Sequence, residues 1–382
     1  MTYDILDFKY LNTKVSYNLF KENGGVAELH AILEFNNVHP KLSAAEQFDK
    51  INQSIVQLFL QPFLENISLV FQRWFVSDIV NLSELIQQSC NVAFSIVQQP
   101  PLNGSKVAIW LYGIENIQSI QASDSAISIK RSVYSHHYHT QLFSTKGNAF
   151  QQTTSVFNSY IKSLSQLQCS LEVNCIRTWL FINNIDSQYA DIVDARNKIF
   201  ESENLTPQTH YISSTGIEGK YKYPQVITLM DAFAISGINQ DQIVYLKGQS
   251  HLNPTHEYGV AFERGTVVQF GDRRHVYISG TASIDNNGKI VHPFDIELQT
   301  IRVLENINVL LTEANCDMED IAQLIIYIRD IADSKCVEEY LRTQLPNIPM
   351  IIVSAPVCRP GWLIEMECIA IKSIEDSRFE KF

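Results

Sequence analysis

The chain has 382 residues, 45% hydrophobic and 18% charged, with a formal net charge of −12 and no proline- or glycine-rich tract. That length suits two domains of ordinary size, and scattered basic residues on an acidic chain argue against nucleic acid as a partner. Met1-Thr2-Tyr3-Asp4 does not begin a basic-then-apolar leader and no apolar run approaches a bilayer span, so the expectation is a cytoplasmic protein without a membrane partner.

Taken in chain order, Glu28 to Phe35 and Ser68 to Phe75 are strand-like. Between them, Ser43 to Leu64 carries Phe48, Ile51, Ile55 and Leu58 at helical spacing. Lys106 to Tyr112 predicts a strand, Ala149 to Leu167 a helix, Cys175 to Ile182 a strand, and Tyr189 to Phe200 a helix. Residues 206–256 change texture. Ser213-Ser214-Thr215-Gly216 and Asn253-Pro254-Thr255 punctuate short apolar runs there, as in a connector whose loops either line an anion site or merely turn. The expected division is therefore 1–205, the 206–256 connector and a C-terminal domain over 257–382.

The last part is the most regular. Val260 to Phe270 and His275 to Ser283 read as strands joined at Gly271-Asp272, followed by a helix from Asp295, its N-cap, to Ala314. Ile321 to Arg329 (strand), Ser334 to Gln344 (helix), and the strands Met350 to Val357 and Leu363 to Ile371 complete a β-β-α-β-α-β-β order. Thr178 to Asp186 and Ile325 to Asp333 are both apolar strands that stop at an aspartate before a helix, an echo that hints at duplication.

Chemistry concentrates in Cys358-Arg-Pro-Gly-Trp-Leu-Ile-Glu-Met-Glu-Cys368. In a strand, Glu365 and Glu367 share one face. A buried carboxyl there would hold a proton near neutral pH, whereas the plainer alternative is a solvated or arginine-paired face. Arg264, Arg329 and Arg359 stand at strand ends, where planar two-pronged donors could grip a carboxylate. By default Cys358 is a small apolar wall residue. The seven cysteines (Cys90, Cys169, Cys175, Cys316, Cys336, Cys358 and Cys368) form no Cys-x-x-Cys pair, which fits free thiols and not a zinc site. His136-His137-Tyr138-His139 lacks partners at ligand spacing and reads as a surface loop or strand before it reads as a metal site. No phosphate loop, dinucleotide glycine motif or nucleophile elbow occurs.

The strand order, with Val276-Tyr-Ile-Ser-Gly-Thr-Ala-Ser283, Gln299-Thr300 to Asn306-Ile307 and Ile364-Glu-Met-Glu-Cys-Ile-Ala370, resembles the RidA/YjgF superfamily from about Tyr258 to Lys372. The resemblance implies an α/β (α+β) fold of two RidA-like, chorismate mutase-like units with mixed sheets packed on helices. It also implies a homo-trimer, or a monomer with pseudo-symmetric halves, and sites between neighbouring units. In the imine deaminases of the superfamily an arginine grips the substrate carboxylate, and that position falls on Met350. The superfamily's label of endoribonuclease or translation inhibitor finds no physical support in so acidic a chain.

Tyr258-Gly259 with Phe262 and Arg264, Ser279 to Ser283 with Thr281 at its centre, His292-Pro293 with Asp295 and Gln299, and Cys358-Arg359 before Leu363-Ile364-Glu365 resemble the chorismatase branch. That likeness implies cofactor-free and metal-free hydrolysis of chorismate to pyruvate and a hydroxybenzoate or dihydroxycyclohexadienoate. Glu365 would be the general acid, with Arg264 and Arg329 holding the two carboxylates, Tyr258 orienting the substrate, and Arg359 and Thr281 beside it. Cys358 would shape the product, as in chorismatases that make 3-hydroxybenzoate. Val193-Asp-Ala-Arg-Asn197 departs from the Phe-Asn-x-Gly-Arg type of segment expected at that place. The alternatives are a RidA-like imine deaminase and a non-catalytic binder of small acids.

Overall fold

A computed structural model describes residues 1–22, 25–36, 42–86, 91–123 and 126–382. The α+β architecture with repeated RidA-like units is present, and the repeat extends to a third copy. The first unit contains β1 (Thr2–Phe8), β2 (Thr13–Phe20), β3 (Glu28–Phe35), α1 (Ala44–Phe59), β4 (Ile67–Val76), the short α2 (Ile79–Leu82), β5 (Ala93–Gln98) and β6 (Val107–Glu115). The second contains β7 (Ser119–Ala122), β8 (Ala126–Arg131), β9 (Tyr134–Phe143), α3 (Ala149–Gln166), α4 (Leu171–Asn174), β10 (Cys175–Ile182), α5 (Ile185–Ser202), β11 (Ser213–Glu218) and β12 (Thr228–Ser236). The third contains β13 (Ile243–Leu246), β14 (Gly265–Gln269), β15 (Arg273–Ala282), α6 (Ile296–Glu313), β16 (Ile321–Ile328), α7 (Ser334–Gln344), β17 (Met350–Ser354) and β18 (Ile364–Ser373).

The three six-stranded sheets share one topology: β1-β2-β3-β6-β4-β5, β7-β8-β9-β12-β10-β11 and β13-β14-β15-β18-β16-β17. In each, only the outermost pair (β4/β5, β10/β11, β16/β17) is parallel, and it is joined through a helix. The echo between Thr178 to Asp186 and Ile325 to Asp333 marks the same place in two copies, β10 leading to α5 and β16 leading to α7. Its counterpart in the first copy is β4, which stops at Asp78, the N-cap of α2.

Residues 213–236, read from sequence as part of a connector, supply β11 and β12. The run from Thr228 to Ser236 is broken by Asp231, which disguises a central strand paired on both edges. The helix expected from Tyr189 begins four residues earlier, at Ile185, with Asn184 in a left-handed conformation before it. His136 to His139 lie inside β9 and are buried, not superficial. His136 stacks on Phe233 (5.9 Å) on one face of the strand, while His137 and His139 share the other face and take separate partners: His137 binds Ser128 (2.7 Å) and Ser236 (3.0 Å), and His139 binds Ser163 (2.8 Å).

Helices cover the outer faces of the sheets and the inner faces meet in one apolar core shared by all three units. A cyclic set of backbone bridges joins the copies: Gln98 with Lys220, Ile217 with Val357, and Val353 with Pro101. Each runs from the edge strand of one unit to the following unit, closing a ring. A buried ion pair adds to the seam between the third and first units, with Arg273 at 2.7 Å and His275 at 2.9 Å from Glu28. Burial alone would raise the Glu28 carboxyl, but His275, Arg273 and Tyr112 hold it well below the usual carboxylate range. Among the described residues, no helix is long and apolar enough to cross a membrane. Cys169, Cys175, Cys316, Cys336, Cys358 and Cys368 are free thiols, and Cys90 lies outside the described residues.

Candidate active site

A cavity of about 400 Å³ opens between the second and third units, a size that suits a small organic ligand. One wall comes from α5 and β11 of the second unit, and the other from β15, the start of β18, the strap at Tyr258 to Arg264 and the turn at Cys358 to Trp362. The seam between these walls is polar. Ser213 bonds Thr266 (2.6 Å), the backbone N–H of Ser214 donates to Ser279 (2.9 Å), and that of Gly280 donates to the Thr215 hydroxyl (2.9 Å). The Ser-Ser-Thr-Gly stretch is thus the edge strand β11, through which the second unit reaches the site of the third.

Glu365 lies at the floor of the cavity, opposite Tyr327 of β16 and Ala282 of β15. Burial pushes its carboxyl up to about 8, the charge of Glu367 adds to the rise, and Arg177 and Arg264 oppose it. The balance of these effects favours the protonated acid. A Cβ at position 280 would collide with its Oε1, so a larger residue there would force the carboxyl to move.

Each unit has a position equivalent to Glu365, found by register. Four residues beyond the bulge in the fourth strand (Phe71 to Phe75, Arg177 to Phe181, Gln323 to Tyr327) the partners on the last strand are Ala108, Leu229 and Glu365. Of these three places, the carboxyl stands only between the second and third units.

Four of the sequence-predicted residues gather around it. Arg264 is buried, donates to the Asn253 carbonyl at 3.0 Å and lies 5.5 Å above the Tyr258 ring. Arg359 approaches the same ring at 4.8 Å and Trp362 at 4.8 Å. Cys358 lines the wall, and burial together with the charge of Glu365 pushes its thiol up to about 12, so it is a neutral group and not a nucleophile.

Two predicted residues are not brought in. Arg329 faces the flank, where both terminal nitrogens bond Asp186 at 2.9 Å. A carboxylate of the protein thus occupies the prongs that were expected for substrate. Thr281 points to the opposite face of β15 from the cavity, is buried, and bonds the Ser279 carbonyl at 2.9 Å.

The residues that sequence reasoning missed lie on α5. Arg196 is buried and lines the cavity, and among the described residues its Nε and Nη2 have no hydrogen-bond partner. Asn197 accepts from the Ala261 N–H (3.2 Å) and donates to the Gly259 carbonyl (2.9 Å), anchoring the strap that carries Tyr258. A signal existed: Ile192, Ala195, Arg196 and Ile199 form the buried helical stripe, so a guanidinium stands where an apolar residue belongs. Arg196, Arg264 and Arg359 around a neutral Glu365 outweigh Asp194, the other acidic lining residue, and suit a small dicarboxylate. Among the described residues, no cluster of three metal-ligating side chains occurs.

Residues 248–372 match the family described as Endoribonuclease L-PSP. A RutC family protein of Saccharolobus solfataricus is 35% identical over 108 residues, 28% of this chain and 84% of its own length. The 3-aminoacrylate deaminase RutC of Acinetobacter baylyi is 32% identical over 97 residues, 25% of this chain and 77% of its own. Among solved structures, a chorismatase superposes with a TM-score of 0.64 over 79% of this chain and 93% of that one, at 15% identity. That last likeness extends beyond the third unit and concerns the fold alone. By its RutC relatives, its family match and its β-strand order, this chain belongs to the RidA/RutC family of endoribonuclease L-PSP-type proteins.

Proposed function

We propose that the protein is a chorismatase-like hydrolase acting on chorismate or a similar enolpyruvyl dicarboxylate. The observation that carries this reading is a buried Glu365, its carboxyl pushed up by burial, at the floor of a cavity rimmed by Arg196, Arg264 and Arg359. Glu365 gives its proton to the terminal methylene of the enolpyruvyl ether, forming the methyl group and leaving an oxocarbenium ion. Water adds to that carbon, the carbon–oxygen bond to the ring breaks, and pyruvate departs. Of the two water protons, one returns to Glu365 and one goes to the ring oxygen, so the products are pyruvate and a ring diol; capture by a ring hydroxyl would lead towards a hydroxybenzoate. The arginines hold the two carboxylates, with Arg196 in the place that sequence assigned to Arg329, and Tyr258 and Trp362 form the apolar walls for the ring. This chemistry calls for no cofactor and no metal.

The RutC deaminase relative supports a second reading, hydrolysis of an imine or enamine of a small acid. The position that holds the carboxylate-gripping arginine in such enzymes is Met350 here, fully buried at the start of β17. Pure protein given chorismate should release pyruvate, followed by coupled oxidation of NADH with lactate dehydrogenase, and Glu365→Gln should not. Absence of pyruvate from the wild type sinks the first reading. Ammonia release from an iminoacid would then establish the second, and saturable binding of benzoates without turnover would point to a binding protein.

A further inference from the structure

Glu367 follows Glu365 by two residues on β18 and shares its face of the strand, yet it is absent from the lining of the cavity. Its oxygens are taken up by donors from the other two repeats. Trp179 Nε1 is 2.7 Å from Oε1, Arg177 Nη2 is 2.7 Å from Oε2, and Arg73 Nη1 lies 3.9 Å from Oε1. The Thr215 hydroxyl donates to Oε2 as well, while itself accepting from Arg177 and from the Gly280 N–H. Every one of these partners is a donor, an arrangement that only a carboxylate satisfies.

Arg73 is shared in turn with Asp231 at 3.0 Å, whose other oxygen accepts the Gln141 N–H at 2.9 Å. Register makes the arrangement a product of the repeat: two residues beyond the bulge in the fourth strand, the partners on the last strand are Trp110, Asp231 and Glu367. The equivalent places of three copies therefore meet, and a buried charge network with one member or more from each copy has formed there.

We propose that Glu367 is a positioning residue for Glu365, its carboxylate locked by Arg73 of the first repeat and by Arg177, Trp179 and Thr215 of the second, so that the neighbouring Glu365 keeps its proton. The inference rests on the reading of Glu365 as the acid. Glu367 acts in two ways. It places a like charge about 7 Å along the strand, and it engages Arg177, which would otherwise favour the ionised Glu365. The other groups facing Glu365 are Arg264 from the strap, Cys358 from the turn and Tyr327 from β16. Tyr327 also faces Glu367, and the thiol of Cys368, on the opposite face of β18, is raised by burial and by the charge of Glu367. Of these, only the arginines draw Glu365 towards its charged form.

The test is a direct pH titration of the Glu365 carboxyl by NMR of protein labelled with carbon-13 at the glutamate side-chain carboxyl, the resonance being assigned by its loss in Glu365→Gln. In Glu367→Gln the midpoint should fall by roughly one pH unit or more, while Glu367→Asp, which keeps the charge, should stay near the wild type. A midpoint that is unmoved or raised in Glu367→Gln overturns the proposal. If that variant does not fold because Arg177 is left unpaired, the double variant Arg177→Gln, Glu367→Gln removes cation and anion together. Its midpoint should still fall, by less, and no fall overturns the proposal. Turnover does not enter this readout. A wild-type midpoint in the ordinary carboxylate range would instead refute the acid role of Glu365, and a raised midpoint without pyruvate release would refute only the choice of substrate.

Discussion

Gly280 presses against the carboxyl of Glu365 so closely that a single added methyl group would collide with Oε1. The bulge between Ile278 and Thr281 brings this glycine across from β18, and its N–H bond to Thr215 holds it there. Gly280→Ala should therefore fold and keep its cavity but turn Glu365 away from the substrate. The expected loss in kcat is about 100-fold, the usual consequence of displacing a reacting group by an ångström, with KM little changed. Steady-state kinetics beside near-ultraviolet circular dichroism would check it.

Buried Arg196 carries two nitrogens without a partner among the described residues, a costly arrangement that a bound carboxylate would relieve. Arg196→Met should raise KM by about 10- to 100-fold, the loss of one charge-assisted contact worth about 1.5–3 kcal/mol, and should leave thermal stability unchanged or improved. A drop in melting temperature with unchanged KM would count against a substrate role.

Arg329 and Asp186 tie the end of β16 to the first turn of α5 at the edge of the site. The pair is partly solvent-exposed, so Arg329→Ala should reduce stability by about 1 kcal/mol or less. It should not abolish turnover, whereas Arg264→Ala should. Denaturant unfolding and kinetics on the two variants separate the structural arginine from the binding one.

The raised carboxyl of Glu365 gives the sign of two pH effects. Catalysis needs the protonated form, so kcat/KM should fall as pH rises through about 8. Folding obeys the same proton: the folded protein binds it more tightly than the unfolded chain does. This contribution to stability is complete below the ordinary carboxylate range and is lost as pH rises to about 8. Glu365→Gln should flatten the stability profile in that window. Glu28, held low by His275, Arg273 and Tyr112 against its burial, acts in the opposite sense and loses its contribution as pH falls below the ordinary carboxylate range.

The thiol of Cys358 is held up to about 12 by burial and by Glu365, whereas Cys336 is exposed on α7. Iodoacetamide at pH 8 should label Cys336 well before Cys358, as peptide mass spectrometry would show. Cys358→Ala should retain turnover and alter the ratio of ring products, since the side chain acts as a wall and not as a nucleophile.

The amino-acid sequence by itself determined the elements of the third unit, because strand and helix periodicities are local and Asp295 caps its helix wherever the chain goes. It also determined that Glu365 and Glu367 share a face, a property of any extended strand, and the strap from Tyr258 to Arg264 was legible through family resemblance. Tertiary structure alone decided the remainder. The closing strand of the middle unit was hidden because Asp231 interrupts the apolar run of β12, and that aspartate is tolerated in the core because Arg73 and Ser95 of another unit and the Gln141 N–H meet it. For the same reason Arg329, expected at the substrate, is paired with Asp186, while Arg196, for which no role was expected, lines the cavity. What an arginine grips depends on which side chain the next repeat brings within 3 Å, and no spacing along one strand or helix contains that information.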